Sequence, residues 1–486
     1  MTQTDNPHHK HRWLILAILG IAQLMVVLDA TIVNIALPSA QRALHFSNDN
    51  RQWVVTAYAL SFGSLLLLGG RISDLFGRKW TFIGGLLGFA IVSAIGGMAQ
   101  SFAVLAAARA LQGAFGAILA PATLSLLTTT FTDPGERARA FGIYGAIAGG
   151  GAAIGLILGG VLTDALSWRW ALYVNLVFAV PTALAGLALL TNVVPAVKPR
   201  VDIPGTLTAV TGLFALVYGL NKAETAGWGS TTTLALLAAA VVLLGAFVAI
   251  ERRVARPLLP LRVVLDRQRG GSYLSIGIAG IGMFGAFLFL TYYLQQTLGY
   301  SPLRSGLAFL PMTGAIMLTA TTATTKIVPR VGARPLVASG MLLAASGMAL
   351  LTGLGLHSTY LGAVLPPLLL LGVGLGLIFA PAMSTATAGV EARDAGVASA
   401  MVNTAQQVGG SIGTALLSTL FTSAVSSAMG STHPTAATIA GATMHGYTTA
   451  FWWSAGIFLL GALVCGLILP HGKGERDPAA EPVLAH

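Results

Sequence analysis

The feature that most constrains this chain is a succession of long apolar runs along almost its whole length. A helix that crosses the hydrocarbon core of a bilayer needs roughly 20 apolar residues. Inside a membrane each segment must satisfy its own backbone hydrogen bonds, which a helix does. The runs begin near residues 13, 52, 80, 102, 139, 170, 203, 232, 271, 303, 335, 361, 396 and 447. The pattern predicts an all-α polytopic membrane protein with about 14 transmembrane helices.

The few charged residues gather in short clusters between the apolar runs. They make up 9% of the chain, against about 25% in soluble proteins. About 21 of the 27 Lys and Arg residues fall in loops on the same side as the N-terminus. Because basic loops stay in the cytoplasm, both termini are expected there. The membrane topology thus accounts for the net charge of +11. Nucleic-acid binding is not indicated, because the sequence has no basic face with interleaved aromatic residues.

The two parts of the chain resemble each other at a nearly constant spacing. Residues 113–122 and 372–382 both end in Ala-Pro-Ala, and residues 71–79 have a counterpart at 326–334, with offsets of 260 and 255 residues. A parallel repeat of six-helix halves is a transporter architecture. The predicted domains are a cytoplasmic tail at 1–12, an N-terminal six-helix bundle at 13–200, two inserted transmembrane helices at 201–251, a cytoplasmic linker at 252–270, a C-terminal six-helix bundle at 271–470 and a cytoplasmic tail at 471–486.

Asp29 is the only one of the 16 acidic residues that lies well inside an apolar run. A charge at the centre of a membrane helix costs about 2.5–3.5 kcal/mol on insertion scales. Burial favours the neutral form of a carboxyl group, and proton coupling requires reversible protonation. Counting residues places Asp29 about 12 Å and Arg109 about 10 Å below the same membrane face. We therefore predict that Asp29 and Arg109 share one level of a cavity and couple protons to transport; a purely structural ion pair is the alternative.

Other polar side chains also lie inside apolar runs. Such groups must face protein or water rather than lipid. They either line the route of a substrate or form hydrogen bonds between helices, and the sequence leaves both possibilities open. The candidates for a substrate pathway are Asn34, Tyr58, Gln112, Tyr144, Tyr292, Gln296, Asn403 and Gln407.

No sequence pattern points to an enzyme, a metal or a cofactor. The single cysteine, Cys465, excludes a disulfide or a cysteine-based metal site within the chain. A membrane enzyme would need several acids or histidines at one depth, and only Asp29 lies deep. There is no phosphate-binding loop of the Walker type, so the chain carries no site for ATP as its energy source.

Five short motifs, in chain order, resemble those of known transporters. Residues 70–79 (GRISDLFGRK), together with Leu105, Arg109, Gln112, Gly113 and Gly116, are similar to two signatures of the major facilitator superfamily. Within it, the fourteen-helix drug/proton antiporters of the EmrB/QacA type have stretches similar to residues 28–38 (LDATIVNIALP), 167–170 (SWRW) and 299–306 (GYSPLRSG). The chain departs at Leu156, where proline is expected, and at Pro329, which takes the place of Asp74 in the second half.

The resemblance implies a major-facilitator fold of two six-helix bundles plus two inserted helices. It also implies a gating loop formed by Gly70, Asp74, Gly77, Arg78 and Lys79. The function it implies is proton-coupled efflux of small hydrophobic, often cationic, compounds across a bacterial cytoplasmic membrane by alternating access. A facilitator-type importer or metabolite exporter is the alternative on the same fold. Expected partners are a small-molecule substrate, protons and the lipid bilayer, with the chain acting as a monomer.

Overall fold

The computed structural model of the protein describes residues 11–191, 202–255, 257–429 and 435–470. Within these ranges almost every residue is helical and no strand is present, so the predicted all-α fold is confirmed. The predicted C-terminal tail at 471–486 and residues 1–10 of the predicted N-terminal tail lie outside the described residues. The basic residues Lys198 and Arg200 of the predicted cytoplasmic loops lie outside them as well.

Thirteen helices of the described chain are long and apolar enough to cross a membrane, and a further long helix, α5, packs among them. The first six helices are α1 (Arg12–Leu44), α2 (Asn48–Phe76), α3 (Arg78–Gly97), α4 (Phe102–Thr130), α5 (Pro134–Ala165) and α6 (Trp170–Leu189). The inserted hairpin is α7 (Ile203–Ala226) and α8 (Thr231–Glu251). The remaining helices are α9 (Leu261–Val264), α10 (Arg267–Tyr292), α11 (Pro302–Thr322), α12 (Val328–Val331), α13 (Ala333–Leu351), α14 (Leu365–Ala386), α15 (Ala395–Met429) and α16 (Ala436–Ile468). Single π-helical turns extend α10 and α11 and precede α14.

The long helices begin close to the predicted positions except at the C-terminal end. The last helix starts at Ala436, well before the predicted start near residue 447. Its first turns contain Thr438, Thr443 and His445, and these polar residues interrupt the apolar pattern from which the start was predicted. The first helix also continues past its expected end at Leu37, because Pro38 is accommodated inside it and the helix ends at Leu44.

Short polar side chains fix several of the helix starts. Asp133 accepts a hydrogen bond from the Glu136 backbone nitrogen at 2.9 Å, and Asp266 accepts one from the Arg269 nitrogen at 2.9 Å. Such caps satisfy backbone donors that have no partner inside the helix. Proline follows the cap at the start of α5, α7 and α11, where its missing N–H is not needed.

Glycines allow neighbouring helices to approach until their backbones touch. A Cβ atom on Gly69 of α2 would lie 2.0 Å from the Ala117 carbonyl oxygen of α4. In the second half, a Cβ on Gly340 of α13 would lie 2.7 Å from the Gly374 carbonyl oxygen of α14. Small residues at crossings are the usual means of packing helices in a membrane.

Two glycines in the left-handed region mark the internal repeat. Gly77 (φ 86°) alone connects α2 to α3, and Gly332 (φ 81°) alone connects α12 to α13. A side chain with a Cβ is strained at such φ values. Both connections are therefore one-residue turns, from α2 into α3 in the first half and, in the second half, from the short α12 that continues α11 into α13.

The inserted hairpin lies over the seam between the two halves. The α7 helix packs against α2 of the first half and α15 of the second, whereas α8 packs mainly on α7. Three of the four buried residues of α8, Thr233, Ala240 and Phe247, are spaced by seven and form one stripe toward α7. The remaining surface of α8 is exposed and apolar, with Val241 and Val242 largely uncovered, as expected for a helix that faces lipid.

Candidate functional site

A buried charge cluster surrounds Asp29 at the middle of α1. The Asp29 side chain has no solvent exposure. Arg109 Nη1 donates to Asp29 Oδ2 at 2.6 Å, and Gln112 Nε2 donates to Asp29 Oδ1 at 2.6 Å. Asn175 Nδ2 donates to the same Oδ1 atom at 2.9 Å. The carboxylate thus has three donors from two helices, α4 and α6, which is how a buried anion becomes tolerable in a membrane.

The Arg109 guanidinium has several partners besides Asp29. Its Nη1 also donates to Gln112 Oε1 at 2.7 Å, and its Nε donates to the Val54 carbonyl at 3.2 Å. The guanidinium carbon lies 4.4 Å from the centre of the Tyr58 ring, a cation–π distance. Arg109 is therefore held by α2 and α4 even without the carboxylate of α1.

Ser93 of α3 connects the Gln112 and Asn175 side chains of the network. Its hydroxyl accepts from Asn175 Nδ2 at 2.8 Å and from Gln112 Nε2 at 3.2 Å. The same hydroxyl donates to the Leu172 carbonyl at 2.8 Å. Five helices, α1, α2, α3, α4 and α6, therefore meet at this cluster. All five belong to the first half of the molecule.

The structure brings Asp29 and Arg109 together as a buried pair. Arg109 is 2% exposed, and its partners come from the first half alone. The expected level of the two residues agrees with the observed contact, whereas their expected exposure to a shared space does not. The polar side chains of α1, α4 and α6 contact one another inside the first half. The depth of a residue along its helix does not tell in which direction its side chain points.

The four predicted pathway residues of the first half lie at three separate places. Tyr58 and Gln112 belong to the Asp29 cluster, and Tyr144 lies apart from it, with its hydroxyl donating to Gln23 Oε1 at 2.7 Å. Asn34 is exposed, and its amide donates to the Ala30 carbonyl of its own helix. The structure therefore does not bring all eight candidates to one place.

The remaining candidates lie in the second half. Tyr292 and Gln296 are exposed at the end of α10 and in the π-helical turn that follows it. Asn403 and Gln407 of α15 are half-buried. A Cβ on Gly63 of α2 would lie 3.1 Å from Gln407 Cγ, so Gln407 lies at the interface between the halves.

Sequence reasoning missed two members of the cluster, Asn175 and Ser93. A signal for Asn175 existed, because it is the only side-chain amide or charged residue in α6. An amide in an otherwise apolar membrane helix needs a polar partner. Ser93 gave no comparable signal, since a serine can bond to its own helix backbone.

A second set of contacts joins the two halves at one end of the molecule. We call this end the basic face; it is formed by the connection from α2 to α3, the start of α5 and the segment between α14 and α15. Asp74 Oδ1 accepts from the Gly396 nitrogen in the first turn of α15 at 3.0 Å. A carboxylate at a helix N-terminus also interacts favourably with the helix dipole. Asp74 is buried and lies 4.0 Å from Arg78 Nη2.

The predicted gating loop lies within the basic face. Gly70 of α2 packs directly on α15, because a Cβ there would lie 2.6 Å from the Gly396 carbonyl oxygen. Lys79 Nζ donates to the Leu187 carbonyl near the end of α6 at 2.8 Å. Gly77, Asp74 and Arg78 form the turn and its ion pair. The loop therefore contacts both its own half and the other half.

Two arginines add contacts between other elements of the basic face. Arg137 of α5 donates to Thr387 Oγ1 at 2.9 Å and to the Ser384 carbonyl at 3.3 Å, at the end of α14. Arg262 of the linker helix α9 pairs with Asp394, directly before α15. The two halves are thus in contact at the basic face, and the molecule is closed there. Across the described ranges, no group of three His, Cys, Asp or Glu residues could hold a metal ion.

Two halves of membrane-spanning helices that meet at one end form an architecture that is typical of membrane transporters. The family model described as Major Facilitator Superfamily matches residues 19–414, and the chain belongs to this family, whose members are known as transporters rather than enzymes. The resemblance of the motifs to this superfamily is thereby confirmed.

Relatives with stated activities match over most of the chain. The puromycin resistance protein pur8 of Streptomyces alboniger is 49% identical over 469 residues, covering 96% of this chain and 93% of the relative. The cephamycin export protein CmcT of Amycolatopsis lactamdurans is 39% identical, covering 82% of this chain and 83% of the relative. The crystal structure of the human organic anion transporter MFSD10 (TETRAN) is similar with a TM-score of 0.63, covering 94% of this chain and 99% of that one. Its identity is 18%, so this likeness shows the fold alone.

Proposed function

We propose that the protein exports small antibiotic-like organic compounds across the bacterial cytoplasmic membrane in exchange for protons. The observation that carries the export function is similarity over nearly the whole chain to an antibiotic resistance protein. Relatives at 39% and 36% identity are named for export of cephamycin and of tetracenomycin C. Since the named compounds differ from one relative to the next, they support a substrate class and not one compound.

Proton coupling is supported by the chemistry of the Asp29 cluster. Protonation of Asp29 removes the charge that Arg109 neutralises, and the bond from Arg109 to Asp29 weakens. Arg109 keeps its contacts to Val54, Gln112 and Tyr58, so the guanidinium is not left without partners. In this proposal Arg109 remains on α2 and α4 while α1 becomes free to shift.

Asn175 can serve both protonation states of Asp29. Its Nδ2 donates to the carboxylate, while its Oδ1 is buried and has no partner. A side-chain amide carries donors on one atom and an acceptor on the other. A flip of the amide would let Oδ1 accept the hydrogen of a protonated Asp29. The same flip would replace the bond that Asn175 Nδ2 donates to Ser93 Oγ, so the Ser93 hydroxyl would have to turn toward Asn175 Oδ1.

The contacts at the basic face supply the gate of the proposed cycle. Basic loops stay in the cytoplasm, so we place this face, and both chain termini, on the cytoplasmic side. Rocking of the halves would then separate Asp74 from Gly396 and Arg137 from Thr387, and open the substrate pathway to the cell interior. Asn34, Tyr292, Gln296, Asn403 and Gln407 remain candidates for contact with the compound when that pathway is open.

Substrate-induced proton release from the purified protein tests the coupling. Adding puromycin, or another compound that the vesicles transport, should release protons from the native protein and none from Asp29→Asn. Asp133→Asn is the matched control, because asparagine preserves the helix cap while removing a carboxylate. Unchanged coupled flux of Asp29→Asn in everted vesicles would remove Asp29 from the mechanism.

The rival function on the same fold is an uncoupled facilitator of one metabolite. It predicts that a proton gradient has no effect on transport by everted vesicles, and that a panel of lipophilic cations, anions and neutral compounds contains at most one transported class. Gradient-driven uptake of several unrelated antibiotics would exclude it.

A further inference from the structure

A groove on the outer surface between α1 and α5 has the shape of a site for one apolar chain. It has a volume of about 320 Å³ and is lined on the α1 side by Trp13, Ala17 and Gly20, and on the α5 side by Ile143 and Ile147. The lining residues of α1 run from Trp13 to Leu24, a length of about 16 Å at the helical rise. That length matches half of a hydrocarbon core of about 30 Å, the depth of one lipid leaflet.

A cation lies at one end of this groove. Arg139, Ile143 and Ile147 are spaced by four along α5, so they form one stripe with the charge at the basic face and the apolar side chains below it. The Arg139 guanidinium is 5.1 Å from the Trp13 ring centre, and its side chain is exposed. Arg139 has no acidic partner in the part of the chain that the structure describes, whereas the adjacent Arg12 is paired with Glu136 at 2.7 Å.

The charge at the end of the groove decides between two possible occupants. Arg12 and Glu136 pair with each other, so the exposed charge of Arg139, over the Trp13 ring, has no acidic partner among the described residues. A lipophilic cation would be repelled there. A phosphate diester would be attracted, since arginine is the preferred partner of phosphate oxygens, and a tryptophan at the headgroup level is typical of a membrane interface.

We propose that the groove binds an anionic phospholipid of the leaflet at the basic face. One acyl chain lies along Trp13, Ala17, Gly20 and Ile147, and the phosphate contacts Arg139. The lipid covers the crossing of α1 and α5 close to Gly20, where a Cβ would lie 2.8 Å from Ile147 Cδ1. Because α1 carries Asp29, the lipid lies against a helix of the charge cluster, and the site is separate from the interface between the halves.

Quenching of Trp13 fluorescence by brominated acyl chains tests the site in the full chain reconstituted in nanodiscs. The Trp13 signal is the difference between the native protein and Trp13→Phe, a change that keeps an aromatic ring against Phe131. Brominated phosphatidylglycerol should quench this signal at about fivefold lower mole fraction than brominated phosphatidylcholine, as expected for one basic interfacial residue. Arg139→Gln should abolish the preference, and Arg139→Lys should retain most of it.

Two further variants separate this site from general contact with lipid. Arg304→Gln removes another exposed arginine that lies over an aromatic ring, Tyr300 at 4.0 Å, and should leave the preference unchanged. Ala17→Phe fills the groove at an exposed position and should reduce quenching by phosphatidylglycerol to the level of phosphatidylcholine. Equal quenching by the two lipids in the native protein, or an undiminished preference in Arg139→Gln, would overturn the proposal. The alternative outcome is that a transported cation displaces the brominated lipid equally from the native protein and from Arg139→Gln. That result would identify the groove as a substrate entrance and would also contradict the lipid proposal.

Discussion

At the scale of single residues, the stability of the first half depends on keeping the Asp29 charge paired. Arg109 and Asp29 are 2% and 0% exposed, so neither can turn to water if the other is lost. Removing one partner of a buried pair costs about 3–5 kcal/mol, because an unpaired charge stays behind. Arg109→Gln should therefore lower the thermal unfolding temperature of the purified protein strongly.

The double variant Asp29→Asn with Arg109→Gln provides the control, because it removes both charges. It should be more stable than Arg109→Gln alone, since no uncompensated carboxylate remains. A double variant as unstable as the single one would show that the pair is not what stabilises the cluster.

The residue scale also shows what the sequence could and could not predict. A lone acid in α1 and a lone base in α4 predicted each other by depth alone, and they are in contact. Their burial could not be predicted in the same way, because it depends on which side of each helix faces the axis of its own half. The rotation of α1 and α4 about their own axes cannot be derived from the sequence. The sequence therefore could not distinguish an ion pair that lines a shared cavity from one that is buried within the first half.

At the scale of helices, the inserted hairpin depends on close approach between α7 and α8. A Cβ on Gly212 of α7 would lie 2.9 Å from Leu244 Cδ2 of α8, whereas a Cβ on Gly245 of α8 would meet nothing within 4 Å. Overpacking of this kind typically costs about 1–3 kcal/mol. Gly212→Leu should lower the unfolding temperature and loosen α8, and Gly245→Leu is the matched control on the open face.

Separation of α8 from α7 can be measured by the accessibility of a cysteine that replaces Thr233 of α8, in a Cys465→Ser background. Thr233 is buried against the turn between the two helices, so a thiol-specific reagent should label it slowly unless α8 separates from α7. Equal labelling rates with Gly212→Leu and Gly245→Leu would show that the glycine contact does not hold the hairpin together.

Helix positions followed from the sequence better than the role of the hairpin did. Apolar runs located the starts of most helices, because length and hydropathy suffice for a spanning segment. The same pattern did not predict which helices the inserted hairpin packs against, since α8 is apolar around most of its circumference. That the hairpin bridges the halves depends on contacts such as Asn221 Nδ2 of α7 to Thr56 Oγ1 at 3.2 Å and, from the turn after α7, Trp228 Nε1 to Thr419 Oγ1 at 3.0 Å.

At the scale of the whole molecule, closure at the basic face requires two glycines to meet. A Cβ on Gly396 of α15 would lie 2.4 Å from the Gly70 carbonyl oxygen of α2, closer than any real Cβ contact. Since the obstacle is backbone, a flexible side chain cannot move aside to relieve it. Gly396→Ala should therefore keep α2 and α15 apart at this face and shift the population toward molecules that are open there.

The distance between spin labels at Phe76 and Val390, again in the Cys465→Ser background, would measure this shift. Gly396→Ala should lengthen the distance and reduce transport, while Gly84→Ala, at a position with open space around it, should change neither. Alternating access needs both end states, so a molecule that cannot close at one face binds its compound but cannot complete the cycle. An unchanged distance with normal transport would mean that the Asp74 and Gly396 contact is not a gate.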